Sequence, residues 1–330
     1  MKICIYGAGA VGGLVAARLA RADHEVSVVA RGAHLTEILA QGLRVRSAEG
    51  DFTARIRANV DPSKLGEQDY VFVAVKGQSL PQVAANIAPL LGEHTSIVTA
   101  MNGVPWWFFD RLPFAAGKGQ GKLRLESLDP GGALTRAMPT ERIVGCVIHL
   151  AASTPEPGVI QHSMGKRLIL GEPGGRNTER TTKLAGALAG AGFETVQSPF
   201  IEKDFWVKLL GNVSFNPVSA LTLATANRLL ADAQVKSYII AIMREVLAIG
   251  RAAGVDADID PEARMDMARH LGVFKTSMLQ DLEAGKPLEI DGLLSGTLEI
   301  AAKTGVAAPF TESLLGLARL RAQSTGQHPQ

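Results

Sequence analysis

Cysteine is almost absent from this sequence: Cys4 and Cys146 are the only two among 330 residues. Two cysteines so far apart exclude a disulfide framework and a zinc site made of cysteines. Each lies in an apolar run typical of a β-strand, so we predict two buried free thiols. Clusters of His, Cys or carboxylate with the spacing of metal ligands are also missing, and we therefore expect no resident metal.

An excess of charge of either sign is missing as well. The chain has 34 basic and 32 acidic residues, a net charge of +2, and no long basic tract. This balance argues against nucleic acid as the main partner. A run of 18 apolar residues, which a membrane span needs, is absent, and the apolar start is interrupted by glycines, unlike a signal peptide. We expect a cytoplasmic protein with a small-molecule partner; whether it is a homodimer is left open.

The length of the chain predicts two domains, and its 46% hydrophobic content is ordinary for a globular protein. In the first part, apolar strands alternate with helices, which predicts an α/β domain with a parallel sheet covered on both faces. From about residue 200 the periodicity becomes helical, which predicts an all-helical C-terminal domain. We place the boundary at Ser198-Pro199, giving domains over 1–198 and 199–330. Predicted strands cover 2–6, 25–30, 43–47, 52–57, 70–75, 96–100, 142–149, 159–162, 167–170 and 193–197, and the later helices cover 203–216, 229–253, 261–283 and 288–304.

A glycine-rich motif follows the first predicted strand and opens the first helix. It has the pattern G-x-G-x-x-G, and in this context it indicates a dinucleotide site rather than a turn without a ligand. The first glycine allows a tight turn, the second lets the backbone approach a pyrophosphate, and the third lets the helix pack closely on the strand. The free amides of the helix N-terminus would bind the phosphates. The motif consists of Gly7, Ala8, Gly9, Ala10, Val11 and Gly12.

The end of the second strand indicates which dinucleotide is bound. NAD enzymes usually place an acidic residue there, but this chain has Arg31. A guanidinium can pair with the 2′-phosphate of NADP, so we predict NADP(H); the alternative is a solvated loop arginine. Lys76 and Asn102 follow two later strands. Because the carboxyl ends of parallel strands line the ligand crevice, both are predicted to meet cofactor or substrate.

Three polar residues interrupt an apolar helix in the second part. Lys208, Asn212 and Asn216 recur every four residues and therefore share one face. A solvated outer face would carry a mixture of Glu, Lys and Arg, so we interpret this row as functional. Ser277 belongs to a later helical segment with a small polar face, and Glu289 lies in the first turn of another predicted helix; both are weaker candidates on their own.

These residues resemble the ketopantoate reductases over nearly the whole chain. The family has a Rossmann domain followed by an all-helical domain, with the active site in the cleft between them. The resemblance implies NADPH-dependent reduction of a small branched 2-oxo acid, ketopantoate first, as in pantothenate biosynthesis. It rests on Gly7 to Gly12, Arg31, Lys76, Asn102-Gly103, Pro157-Gly158, Trp206 to Leu209, Asn212, Asn216-Pro217, Ser277 to Asp281, and Glu289 to Gly292.

The resemblance also implies individual roles. Lys208 would be the general acid, and Asn212, Asn216 and Ser277 would bind the substrate. A further family asparagine matches Asn227 only after a shift of one residue. Glu289 is expected near the nicotinamide ribose, and a backbone contact to the cofactor is expected from an alanine at 151 or 152, assigned to Ala152.

Part of the chain departs from the family, because 105–139 is longer than expected. The overlapping segment 113–140 is rich in glycine, which predicts a long surface excursion. The cluster Trp106 to Phe109 is interpreted as packing, with a subunit contact or a cap over the substrate as alternatives.

Rival functions are a reductase of another 2-oxo acid, a 3-hydroxy acid dehydrogenase and a catalytically silent NADPH-binding regulator. Arg31 and the Ser277 segment favour the reductase over the dehydrogenase, and the intact set around Lys208 argues against the regulator.

Overall fold

The computed structural model describes residues 1–112, 124–269 and 272–328, and of 267–269 only the backbone. The chain forms two compact units. The first consists of Met1–Met101 and Gly131–Ile201, and the second of Asn102–Pro130 and Glu202–Gln330. The sequence predicts one boundary near Ser198-Pro199, whereas residues 102–130 also belong to the second unit.

The first unit is built on a ten-stranded sheet with the order β4-β3-β9-β8-β7-β6-β1-β2-β5, with β10 also pairing with β9. Pairing is parallel except for β3 with β4 and β8 with β9. Consecutive residues of β1 are fully buried, as expected for a strand covered on both faces. The strands are β1 Lys2–Tyr6, β2 Glu25–Val29, β3 Leu43–Arg46, β4 Phe52–Ala54, β5 Arg57–Asn59, β6 Gln68–Val73, β7 Leu91–Thr99, β8 Ile143–Glu156, β9 Val159–Gly171 and β10 Glu194–Gln197.

Helices connect the strands of this unit. They are α1 Ala10–Arg21, α2 Gly32–Gln41, α3 Leu80–Asn86, α4 Ala133–Ala137 and α5 Glu179–Gly190. The predicted α/β class with a mostly parallel sheet is confirmed. The two strands predicted at 159–162 and 167–170 are instead one strand, β9, paired with β8 as a long hairpin. Its middle residues, 163–167, are all exposed, and apart from Met164 and Gly165 they are polar, so the sequence there has no apolar alternation.

In its described residues, the second unit contains helices and no β-strand. A break at Asp232 divides the helix predicted over 229–253, because its carboxylate caps a new helix by accepting from the amides of Gln234 and Val235 at 3.0 Å each. The helices are α6 Ile201–Thr222, α7 Ala226–Ala231, α8 Ala233–Ala252, α9 Pro261–Arg269, α10 Ser277–Glu283, α11 Gly296–Thr304, which follows a π-helical turn at Asp291–Ser295, and α12 Pro309–Ser324.

The aromatic cluster explains why residues 102–130 join the second unit. Trp107 packs edge-on against Phe205 with ring centroids 5.5 Å apart, and Phe108 lies 5.5 Å from Trp206. All four side chains of Trp106 to Phe109 are at most 3% exposed. The prediction that this cluster serves packing is therefore confirmed.

The predicted surface excursion over 113–140 is wrong for its described part. Leu125, Asp129, Leu134 and Met138 are buried, so the chain there contributes to the interior. Residues 113–123, which hold three of the glycines behind the prediction, lie outside the described residues.

Both cysteines are buried free thiols, as predicted. Burial raises the pKa of Cys4 to about 12. Such a thiol is inert as a nucleophile at neutral pH. Among the helices of the described residues, none combines the length and apolar character needed to cross a membrane.

Candidate active-site residues

The glycine-rich loop joins β1 to α1, and two of its glycines are required by packing. Gly7 has φ +103°, and a Cβ there would lie 2.6 Å from Val75 Cγ1. A Cβ on Gly12 would lie 2.9 Å from the Ala74 Cβ and would collide with the Gly7 carbonyl oxygen. Both glycines therefore let the loop and helix sit directly on the sheet, the role that the motif predicts.

Gly9 differs from its two neighbours in the motif. A Cβ on Gly9 would meet no described atom within 4 Å. Gly9 is the N-cap of α1, and no side chain in the described structure caps the helix there. The amides of the first turn thus face an open surface with the positive end of the helix dipole, a geometry that fits a pyrophosphate.

Arg31 stands at the end of β2, directly before α2. The amide of Gly7 donates to the Val29 carbonyl at 3.1 Å, so this end of β2 lies beside the start of the loop. The Arg31 side chain is exposed, and its guanidinium donates to Gln82 Oε1 at 3.4 Å. An exposed guanidinium next to the loop has donors left for a phosphate.

Lys76 and Ala152 also belong to the first unit. Lys76 is half-buried and precedes a 3₁₀ turn at Gly77–Ser79, three residues after β6 ends beside β1. Ala152 is half-buried on β8, opposite His162 of β9. Each follows or belongs to a strand of the sheet that carries the glycine-rich loop.

His34 is a residue of this loop region that sequence reasoning missed. Its Nε2 lies 2.6 Å from the Ala8 carbonyl oxygen, and its Nδ1 accepts from the Gly158 amide at 2.9 Å. Because Nδ1 is an acceptor, the proton lies on Nε2, which donates to Ala8. His34 thereby connects the glycine-rich loop to the β8–β9 turn. A histidine three residues after Arg31, on the first turn of α2, was the available signal.

The polar row of the second unit lies on α6 with buried neighbours on both sides. Lys208 and Asn212 are half-buried, and Asn216 is only 7% exposed. Asn216 Nδ2 donates to Ser277 Oγ at 3.3 Å, which brings the helix row and the start of α10 together. A solvated outer face would be exposed, so the arrangement supports the functional interpretation of the row.

Asn102 and Glu289 are brought together across 187 positions of the chain. Asn102 Nδ2 donates to Glu289 Oε2 at 3.2 Å, and the Val104 amide donates to the Gly292 carbonyl at 3.0 Å. Glu289 is half-buried. By contrast, Asn227 is exposed on the first turn of α7 and makes no side-chain hydrogen bond to any described residue.

The sequence and the fold are both similar to those of known proteins. The sequence matches the family model described as "Ketopantoate reductase PanE/ApbA" over residues 3–105 and the model of its C-terminal part over 201–322. The curated 2-dehydropantoate 2-reductase of Mesorhizobium japonicum is 44% identical over 327 residues, covering 99% of each chain. The crystal structure of a provisionally assigned ketopantoate reductase from Ralstonia solanacearum MolK2 is 47% identical, with a TM-score of 0.94 and 99% coverage of both chains. A D-mandelate dehydrogenase solved with NADH and anilino(oxo)acetate is 19% identical with a TM-score of 0.83, and so shares the fold.

Proposed function

Because the chain belongs to the ketopantoate reductase family of nicotinamide-dependent oxidoreductases, we propose that it reduces ketopantoate to pantoate with NADPH. The observation that carries this proposal is the half-buried row of Lys208 and Asn212 on α6, continued by Asn216 and its hydrogen bond to Ser277. A cation and several neutral hydrogen-bonding groups in an apolar setting suit a small, polar, anionic substrate.

The first unit would hold the cofactor. The first turn of α1 would bind the pyrophosphate at Gly9, where a side chain would occupy the approach. Arg31 would pair with the 2′-phosphate of NADPH, and Lys76 would meet the cofactor from the end of β6. Ala152 would contribute a backbone contact. In the second unit, the hydrogen-bonded pair of Asn102 and Glu289 would orient the nicotinamide ribose.

When bound, NADPH would supply a hydride to the ketone carbon. Lys208 would give the ketone oxygen the proton that completes the hydroxyl group. An ammonium polarises the carbonyl before it donates, so one group serves both purposes. Asn212 and Asn216 would fix the keto and hydroxyl groups without adding charge. Ser277, at the start of α10, would add a third neutral contact, and Asn227, exposed at the start of α7, would be a further substrate-binding amide.

The test is NADPH oxidation by purified protein with ketopantoate, compared with other 2-oxo acids and with NADPH alone. Lys208→Ala should lower kcat about 10²–10⁴-fold while leaving NADPH binding nearly unchanged, because general acid catalysis contributes about that much. Lys203→Ala is the matched control, since Lys203 is an exposed lysine on the same helix. Turnover of another 2-oxo acid but not of ketopantoate would show that ketopantoate is not the substrate, while leaving the proposed reaction type intact. A folded Lys208→Ala variant with more than about a tenth of wild-type kcat would refute the proton-donor role.

A further inference from the structure

Arg264 of α9 lies beside the turn of α6 that carries Lys208, the proposed proton donor. Its guanidinium Nη2 lies 3.6 Å from the position that a Cβ on Gly211 would take. Gly211 is three residues after Lys208 and directly before Asn212, and residues three apart are neighbours on a helix surface. Because Gly211 has no side chain, the guanidinium can lie against the helix backbone at the turn that carries the proposed proton donor.

The charge of Arg264 is not compensated within the described part of the chain. Its side chain is half-buried, yet it makes no ion pair and no side-chain hydrogen bond to a described residue. Nearby arginines behave differently: Arg244 pairs with Glu262, and Arg251 lies 3.7 Å from Asp256. The segments outside the described ranges contain no Asp or Glu. Burial lowers the pKa of the Arg264 guanidinium, as expected where water is partly excluded and no anion replaces it.

We propose that Arg264 binds the carboxylate of the 2-oxo acid and thereby selects 2-oxo acids over neutral ketones. This assignment rests on the proposed function. In a 2-oxo acid the carboxylate is attached directly to the ketone carbon, so groups that bind both must lie within one helical turn of each other. Lys208 and the guanidinium against Gly211 satisfy that requirement. A guanidinium binds a carboxylate through two parallel hydrogen bonds, which fixes the direction of the adjacent ketone as well as its charge.

Two kinds of group would therefore recognise two parts of the substrate. The neutral amides recognise the oxygen atoms of the ketone and hydroxyl, while Arg264 supplies the charge that the substrate carboxylate needs. A substrate without the carboxylate would lose only the second interaction. Arg264 is therefore a specificity-determining residue, whose effect should depend on the charge of the substrate.

The experiment compares Arg264→Gln and Arg264→Lys with wild type on two substrates, ketopantoate and its uncharged lactone. For ketopantoate, Arg264→Gln should raise KM about 10- to 150-fold, the range that corresponds to a hydrogen bond with a charged group. For the lactone, KM should stay within about twofold of wild type. Arg264→Lys should restore part of the loss, since it keeps the charge but not the paired donors. Arg251→Gln, an exposed arginine on α8, should change neither KM.

A second measurement separates this inference from the proposed function. Oxamate, an unreactive mimic of a 2-oxo acid, should bind wild type and lose affinity by a similar factor in Arg264→Gln, as measured by calorimetry without turnover. Absence of 2-oxo acid reduction by wild type, with this binding loss intact, would overturn the proposed function alone. Equal KM values for wild type and Arg264→Gln, or equal losses for ketopantoate and the lactone, would overturn the role of Arg264.

Discussion

Gly9 and Gly12 of the glycine-rich loop should respond differently to substitution by alanine: one variant should lose cofactor affinity and the other thermal stability. A Cβ on Gly12 would collide with the Gly7 carbonyl and lie 2.9 Å from the Ala74 Cβ. Overpacking of this kind costs about 1–3 kcal/mol, and a domain of this size loses about 2–4 °C of Tm per kcal/mol. Gly12→Ala should therefore lower Tm by several degrees, measured without cofactor.

Gly9→Ala should leave Tm nearly unchanged and weaken cofactor binding instead. Gly9 has φ −66° and ψ −164°, which alanine adopts freely, and no described atom lies within 4 Å of the new Cβ. Alanine is a poorer N-cap than glycine, but it also reduces the entropy of the unfolded chain, so the two effects nearly cancel, within about 1 kcal/mol. The methyl group would separate the helix amides from the pyrophosphate. Loss of one charge-assisted hydrogen bond predicts a rise of about 10- to 150-fold in the Kd for NADPH.

Thermal unfolding of the cofactor-free variants and fluorescence titration with NADPH measure the two effects separately. A wild-type Kd in Gly9→Ala would refute the assignment of the open surface at α1 to the pyrophosphate. A wild-type Tm in Gly12→Ala would refute the packing argument, whatever happened to cofactor binding.

Four further predictions concern the first unit. Arg31→Ala should weaken NADPH but not NADH binding in parallel titrations, because only NADPH carries the 2′-phosphate. His34→Ala should raise the Kd for NADPH by up to about tenfold, since the glycine-rich loop loses the hydrogen bond from His34 to the Ala8 carbonyl, which contributes about 0.5–1.5 kcal/mol. Burial alone would raise the pKa of Glu172, but hydrogen bonds from Arg180 and two threonines hold that pKa below its ordinary 4.5. The stability from Glu172 is therefore present above that value and lost as pH falls below it. Glu172→Gln should flatten this part of a Tm-against-pH profile and cost about 1.5–3 kcal/mol at pH 7, the contribution of hydrogen bonds between charged groups. Cys4 should resist thiol reagents at pH 8 until the protein unfolds, because its pKa is about 12.

Features determined by local sequence were predictable. The glycine-rich loop was predicted from the spacing of three glycines after an apolar strand. The structure adds the steric reasons why Gly7 and Gly12 must be glycine. The polar row on α6 follows from helical periodicity alone, because a separation of four residues fixes a common face. The change from α/β to helical structure near residue 200 was visible for the same reason.

Features determined by tertiary contacts were not predictable. The middle of β9 is exposed and polar, so only its pairing with β8 makes it a strand. Arg264 lies in a helix whose sequence does not distinguish it from its exposed neighbours; its approach to Gly211 depends on how α9 packs against α6. Likewise, His34 gains its contact with Gly158 through the placement of α2 beside a turn 124 positions away.

The motifs containing Asn102 and Glu289 illustrate how distant sequence features form one structural element. Gly103 has φ +83°, and a Cβ there would collide with the Gly292 carbonyl, so glycine is required by both its backbone conformation and this close approach. That approach lets the Val104 amide reach the same carbonyl and sets Asn102 at hydrogen-bonding distance from Glu289. A side chain at 103 would therefore separate the amide from the carboxylate without touching either one. Two motifs that are distant in the sequence thus form a single structure. Gly103, where their backbones meet, is as necessary to that structure as Asn102 and Glu289 are.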